Sequence, residues 1–379
     1  MFITTSSATK KDQYCLKPIR MKLIKNSITK HLLLFILLII TMQLGSRVYS
    51  QESDTSLVTI IGVGDIMMGT SFPSTKYLPP GDDCNFLFDD VKDFLQDADV
   101  TFGNLEGCFL NQGKVVKKCK DTTLCYAFRT PEKYFGCLVD AGFDVFSLAN
   151  NHINDFGEPG ISRTLELIGL NNMHAAGLLE RPYEVFEREG VKFGFCAFSP
   201  NKNTTRINDY AAAEKIIAHL EEVSDIVIVS FHGGAEGKDY QNVKCETEMF
   251  YGEDRGNVCE FAQMAIDAGA DIVFGHGPHV TRAIDLYKDR LIAYSLGNFC
   301  TYRRMNLSGP NGVAPILKVY TDRKGIFQKA EIIPMIQYEN KGPTYDQANR
   351  AIKIIQKLVK EDFPDSELEI ESNGIVTKK

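Results

Sequence analysis

Positive charge is scarce over most of this 379-residue chain. Residues 51–379 carry 34 Lys or Arg against 48 Asp or Glu, a balance near −14. Sequence-independent binding to nucleic acid needs clustered cations that release counterions, so no nucleic acid partner is expected. A polyanionic substrate would need local help from a metal or a few placed cations. Long apolar runs are also missing: residues 32–42 form a run of 11, whereas a membrane-spanning helix needs ~20. No C-x-x-C occurs, which removes support for a zinc ribbon or a thioredoxin-type redox motif. Internal repeats and low-complexity blocks are absent outside the first 50 residues. A hydrophobic fraction of 44% with 24% charged residues rules out wholesale disorder.

The first 50 residues read as a leader whose secretory signal begins at Met21. Lys22, Lys25 and Lys30 precede the apolar run, and Val48-Tyr49-Ser50 offers a cleavage site. Export is therefore expected, to periplasm, cell surface or medium, with an N-terminal anchor as the minor alternative. An exported chain meets an oxidising compartment, and nine of the ten Cys lie beyond the leader. Cys119 with Cys125, and Cys245 with Cys259, each bracket a polar, turn-rich segment and are the expected bridges. Cys196 and Cys300 sit in apolar runs and read as buried thiols.

Helical patterns and apolar runs then alternate. A β-branched strand at residues 57–63 is followed by a helix at 131–141 with Thr130 as N-cap, and by a strand at 144–148. Helices at 158–170, 211–223 and 258–268 follow, the last two feeding strands at 226–231 and 271–274. That order is the grammar of an α/β fold with largely parallel sheets. Hairpins are expected at 282–295 and 313–335, then a helix at 345–360 and a frayed polar tail at 365–379.

Chemistry-bearing residues gather just past strand ends, the default location for a site in an α/β sheet. Of the six histidines beyond the leader, His152, His232, His276 and His279 lie there in Gly- and Asn-rich loops, whereas His174 and His219 do not. Asp65, Glu106 and Asn150-Asn151 follow the same geography. Carboxylate, amide oxygen and imidazole together suit one or two divalent ions such as Zn, Mn or Fe. Gly64-Asp65-Ile66-Met67-Met68-Gly69 has the glycine spacing of a phosphate loop, but Thr70 stands where that loop needs Lys, so the nucleotide reading fails.

Five segments together resemble the CapA family of poly-γ-glutamate capsule biosynthesis proteins. They are Gly64 to Gly69, Asn104-Leu105-Glu106, Ser147 to Gly157 with its Asn150-Asn151-His152 core, Phe274-Gly275-His276-Gly277-Pro278-His279-Val280, and Tyr294-Ser295-Leu296-Gly297-Asn298-Phe299. The resemblance spans about residues 57–300. It implies the fold of calcineurin-like metallophosphoesterases, a four-layer α/β/β/α sandwich. Together with the leader and the C-terminal pattern, it gives an expected division into a leader at 1–50, a CapA-like domain at 51–337 and a C-terminal helix with polar tail at 338–379. It further implies Asp65, Glu106, Asn151, His232, His276 and His279 as metal ligands, with His152 acting as general acid or orienting the leaving group. Met67 departs from the pattern, because metallophosphoesterases usually place a metal-binding His there.

The expected function is an exported protein of capsule or poly-γ-glutamate synthesis, release or transport with a metal-dependent hydrolytic step on a phosphate ester or amide. Expected partners are an anionic polymer or phosphate-containing substrate and a membrane synthesis or export complex. The alternatives are a non-catalytic polymer-binding or assembly subunit, which the Met67 departure favours, and a secreted phosphoesterase unrelated to capsule.

Overall fold

The computed structural model describes residues 56–118 and 126–379. The expected leader with cleavage after Ser50, and the expected Cys119–Cys125 bridge, lie outside the described residues. In chain order the strands are β1 (Val58–Met67), β2 (Val100–Leu105), β3 (Cys108–Phe109), β4 (Arg129–Thr130), β5 (Val145–Ser147), β6 (His174–Ala176), β7 (Tyr183–Arg188), β8 (Val191–Phe198), β9 (Ile226–His232) and β10 (Met249–Phe250). They continue with β11 (Glu253–Asp254), β12 (Ile272–His276), β13 (Ile284–Tyr287), β14 (Arg290–Ala293), β15 (Asn298–Thr301), β16 (Val313–Thr321), β17 (Phe327–Gln337), β18 (Pro343–Tyr345), β19 (Leu368–Ile370) and β20 (Ile375–Lys378). The helices are α1 (Lys92–Leu95), α2 (Phe135–Ala141), α3 (Glu158–Leu170), α4 (Tyr210–Val223), α5 (Val258–Asp267) and α6 (Arg350–Asp362).

Two large sheets face each other. One runs β19-β20-β17-β16-β1-β2-β5-β6, with β15 also paired to β1 and β18 to β17. The other runs β13-β14-β12-β9-β8-β7. Where βαβ crossovers dictate it the pairing is parallel, as in β1/β2/β5/β6 and β8/β9/β12. Continuous apolar strands such as Ile226-Val227-Ile228-Val229 are buried on both faces, as a sheet covered on both sides requires. The inter-sheet core joins Phe102 of β2 to Phe274 of β12, stacked with ring centroids 5.3 Å apart, and to Phe195 of β8 at 5.5 Å. Each such ring contributes about 1.5–3 kcal/mol by burial. Residues of α2 and α3 pack on the outer face of the first sheet, and residues of α4 and α5 on the outer face of the second. The result is the four-layer α/β/β/α sandwich expected.

Local sequence explains the helix ends. The Asp209 carboxylate accepts from Ala212 N to open α4, and Asn257 Oδ1 accepts from Glu260 N to open α5. Gly142 closes α2 at φ 90°. Thr130 is not the cap of that helix: it lies in β4, its Oγ1 donates to Gly69 O at 3.0 Å, and a 3-10 turn at Glu132–Tyr134 precedes α2.

The C-terminal region corrects two expectations. The helix placed at 345–360 starts at Arg350, because residues 343–345 pair with β17 and Asp346 Oδ2 accepts from Arg350 N at 2.8 Å. The tail at 365–379 is not frayed. It forms the β19–β20 hairpin, and β20 joins β17, because Leu368 and Val376 reach the inter-sheet core alongside Ile352 and Ile355 of α6.

Cys245 and Cys259 are bridged, and Cys196 and Cys300 are buried free thiols, as expected. Cys108 is also free and buried. A second bridge joins Cys84 to Cys137 across 53 residues, a pairing the sequence did not suggest.

Candidate metal centre

The C-terminal ends of β1, β2 and β5 meet those of β9 and β12 at one rim of the sandwich. Register does the positioning: Asp65 lies opposite Asn104 in the β1/β2 pair, and His232 lies opposite His276 in the β9/β12 pair. Close approach requires glycine at Gly64, where a Cβ would sit 2.0 Å from Gly297 O while Asp65 N donates to that same oxygen at 2.8 Å. Gly277, at φ +113°, abuts the Gly233 backbone, so the turns after His232 and His276 interlock through a Gly233 N to His276 O bond of 2.8 Å.

Asp65 is fully buried. Its Oδ2 lies 2.7 Å from His279 Nδ1 and its Oδ1 3.3 Å from His276 Nδ1. Asn104 Nδ2 donates to Asp65 Oδ1 at 2.8 Å and to Glu106 Oε2 at 2.7 Å, tying the two carboxylates together. Glu106 Oε1 lies 3.5 Å from His232 Nε2 and 4.0 Å from His152 Nε2. Ligand atoms of Glu106, His232 and His279 fall within 4.8 Å of one another.

Charge balance follows from this packing. Burial alone would raise the Asp65 carboxyl, but the imidazoles of His276 and His279 hold it well below the usual carboxylate range. Burial likewise opposes ionisation of Glu106, and the neighbouring His232 outweighs it, together with His152 and against repulsion from Asp65, bringing the carboxyl to about 2. Burial lowers His279, and the Asp65 carboxylate reverses that, raising it to about 9.

A set of buried polar atoms at this rim has no hydrogen-bond partner among the described residues: both ring nitrogens of His232 and of His276, Glu106 Oε1 and Asn151 Oδ1. Unpaired buried groups of this kind each cost about 1–3 kcal/mol, and a divalent cation satisfies several at once. Imidazole, carboxylate and amide oxygen are the donors such an ion takes, so the residues fit a metal. Of the expected ligands, Asp65, Glu106, His232, His276 and His279 form one cluster. Asn151 lines the adjoining cleft of about 380 Å³ with His152 and His279.

His152 is held from behind. Its Nδ1 lies 2.7 Å from Asp155 Oδ2 and 3.2 Å from Lys117 Nζ, and its ring stacks on Phe128 at 4.1 Å. Because a carboxylate only accepts, the short contact puts a proton on Nδ1 and turns Nε2 toward Glu106. Asn150 shapes this turn: its Oδ1 accepts from His152 N and Ile153 N at 3.0 and 2.9 Å. His174 and His219 lie elsewhere, against Phe186 and Tyr183.

Sequence reasoning did not single out Asn104, Asp155, Lys117 or Asn298. Asn298 Nδ2 donates to His279 O at 3.1 Å and to Asn311 O at 3.0 Å, helping hold His279 at φ 56°. Asn104, Asp155 and Asn298 each stand inside a segment that carried the family resemblance. Only Lys117, from a polar loop, had no signal.

Fold and site define an α/β sandwich protein with a His and carboxylate cluster suited to divalent metal. Residues 59–303 match the family described as bacterial capsule synthesis protein PGA_cap, and the chain belongs to that family. It is 28% identical over 268 residues to the capsule biosynthesis protein CapA of Bacillus anthracis, covering 66% of this chain and 61% of that protein. To the PGA biosynthesis protein CapA of Bacillus subtilis (strain 168) it is 29% identical over 253 residues, covering 62% and 61%. The chain thus spans about three fifths of the length of these relatives. A 5'-nucleotidase precursor from Thermus thermophilus aligns with a TM-score of 0.41 at 11% identity, over 81% of this chain and 59% of that one.

Proposed function

We propose that this chain is an exported, metal-dependent hydrolase acting on an anionic capsule polymer of the poly-γ-glutamate type, in its synthesis, release or transport. The observation that carries the reading is the set of buried ligand atoms on His232, His276 and Glu106 around Asp65 that have no hydrogen-bond partner among the described residues. Family membership supports a role in capsule synthesis, and the two bridges support an oxidising compartment. No helix among the described residues is long and apolar enough to cross a membrane.

Asp65, Glu106, Asn151, His232, His276 and His279 would hold the ion. When bound, it would supply Lewis-acid polarisation of the scissile group and a water of lowered pKa. His152 would act as general acid, with Nε2 facing the cluster and Asp155 stabilising the imidazolium behind it. Asn104 would fix the spacing of the two carboxylates.

The test is metal content of protein purified without chelator or affinity metal, followed by turnover of γ-linked glutamate polymer and of bis(p-nitrophenyl) phosphate. Metal together with polymer cleavage is the expected result. Turnover of the phosphodiester alone would favour a phosphoesterase unrelated to capsule. A second reading, the non-catalytic assembly subunit, draws on Met67, a buried thioether where metallophosphoesterases usually place an imidazole ligand. Metal-free protein that still supports polymer production would select it.

A further inference from the structure

The cleft beside the cluster contains one Lys or Arg among its described lining residues, Arg304. Glu236, the carboxylate among the same lining residues, is paired with Arg255 at 3.0 Å. The Arg304 guanidinium lies 4.8 Å from the Tyr77 ring centroid and 4.4 Å from that of Tyr126, so two aromatic rings hold it. Among the described residues no carboxylate pairs with it, and its Nε is buried without a hydrogen-bond partner.

The backbone there is constrained as well. Arg303 and Arg304 occupy the left-handed region at φ 57° and 59°, a conformation unfavourable for non-glycine residues. The loop is tied down on both sides: Tyr302 N donates to Met67 O at 2.8 Å, and Asn298 Nδ2 reaches Asn306 O at 3.4 Å. A cation held in position, without a counter-ion among the described residues and facing the cleft of His279, is arranged for a ligand's charge. In a chain near −14 beyond residue 50, an anionic ligand would otherwise be repelled.

We propose that Arg304 is the specificity-determining residue of this cleft, binding a carboxylate or phosphate group of the substrate through its guanidinium fork while the reacting bond sits at the His279–Asp65 centre. The assignment rests on the reading of this cleft as a substrate site. A planar fork takes two oxygens of such a group side by side, which a lysine ammonium cannot reproduce.

The experiment is calorimetric titration of the manganese-loaded protein with a γ-linked glutamate tetramer and, separately, with inorganic phosphate. Wild type, Arg304→Gln and Arg304→Lys are compared, with metal content measured for each. The expected result is tetramer binding weakened at least tenfold in Arg304→Gln, partly restored in Arg304→Lys, at unchanged metal content. Equal tetramer affinity in wild type and Arg304→Gln overturns the assignment while leaving the polymer reading standing. Phosphate binding alone, weakened in Arg304→Gln, keeps the anion subsite and removes the polymer reading. Phosphate binding alone and unweakened, or binding of neither anion by wild type, overturns the subsite.

Discussion

His279 Nδ1 stands 2.7 Å from Asp65 Oδ2 across 214 residues of chain, joining the last loop of the site to its first strand. The contact draws the rims of the two sheets together. It also makes Asp65 the anion on which the imidazoles converge.

Replacing Asp65 with Asn should therefore lower affinity for Mn or Zn by at least about tenfold, since a neutral amide is a weaker ligand for a hard cation. Competition with a chromogenic chelator measures the change. Unaltered affinity would remove Asp65 from the ligand set.

Asn104→Ala should weaken metal binding by about 10- to 100-fold without removing any ligand, because the carboxylates of Asp65 and Glu106 lose their shared donor. The same chelator assay, with circular dichroism to verify folding, separates this from global damage.

His152→Ala should leave metal content intact and reduce turnover of bis(p-nitrophenyl) phosphate by ~100 to 10,000-fold, the usual contribution of a general acid. Loss of metal in this variant would make His152 a ligand instead.

The Cys84–Cys137 bridge closes the longer loop, and loop-closure entropy assigns it about 4 kcal/mol, against about 3 for Cys245–Cys259. Urea unfolding of Cys84→Ser/Cys137→Ser should show the greater loss of the two double variants. The reverse order would mean that the loops are already constrained when unfolded.

Burial pushes the Asp271 carboxyl up to about 7, although Arg290 Nε lies 2.7 Å away and Val227 N donates to it. Between an unfolded value of ~4 and that folded value, the folded chain holds a proton that the unfolded chain has released. Stability should accordingly fall as pH rises through that window, by at most ~1.4 kcal/mol per unit. Asp271→Asn should flatten this slope in urea titrations at pH 5 and 7. An unchanged slope would place the titration elsewhere.

Much of this architecture was legible because each signal was local. The span Glu158–Leu170 has matching ends in sequence and structure, and the strand leading to His232 announced itself by β-branched burial. The tail at 365–379 was misread because β19 and β20 are short and polar on one face, and their two anchors, Leu368 and Val376, gain meaning only against α6. The site separates in the same way. Asp65, Glu106 and the histidines could be named from strand ends, whereas Asn104 as a bridge depends on the β1/β2 register. Arg304 depends on Tyr77 and Tyr126, which are distant in sequence.

The β10–β11 hairpin lines the cleft with Tyr251, and its base is fastened by the Cys245–Cys259 bridge and by Glu248, whose two oxygens take the buried Arg282 guanidinium at 2.7 Å each. None of the candidate ligands is a cysteine. Closing the bridge and holding an ion would therefore draw on separate atoms, so a reductant that opens Cys245–Cys259 would loosen the hairpin that walls the cleft and strip no candidate ligand from the site.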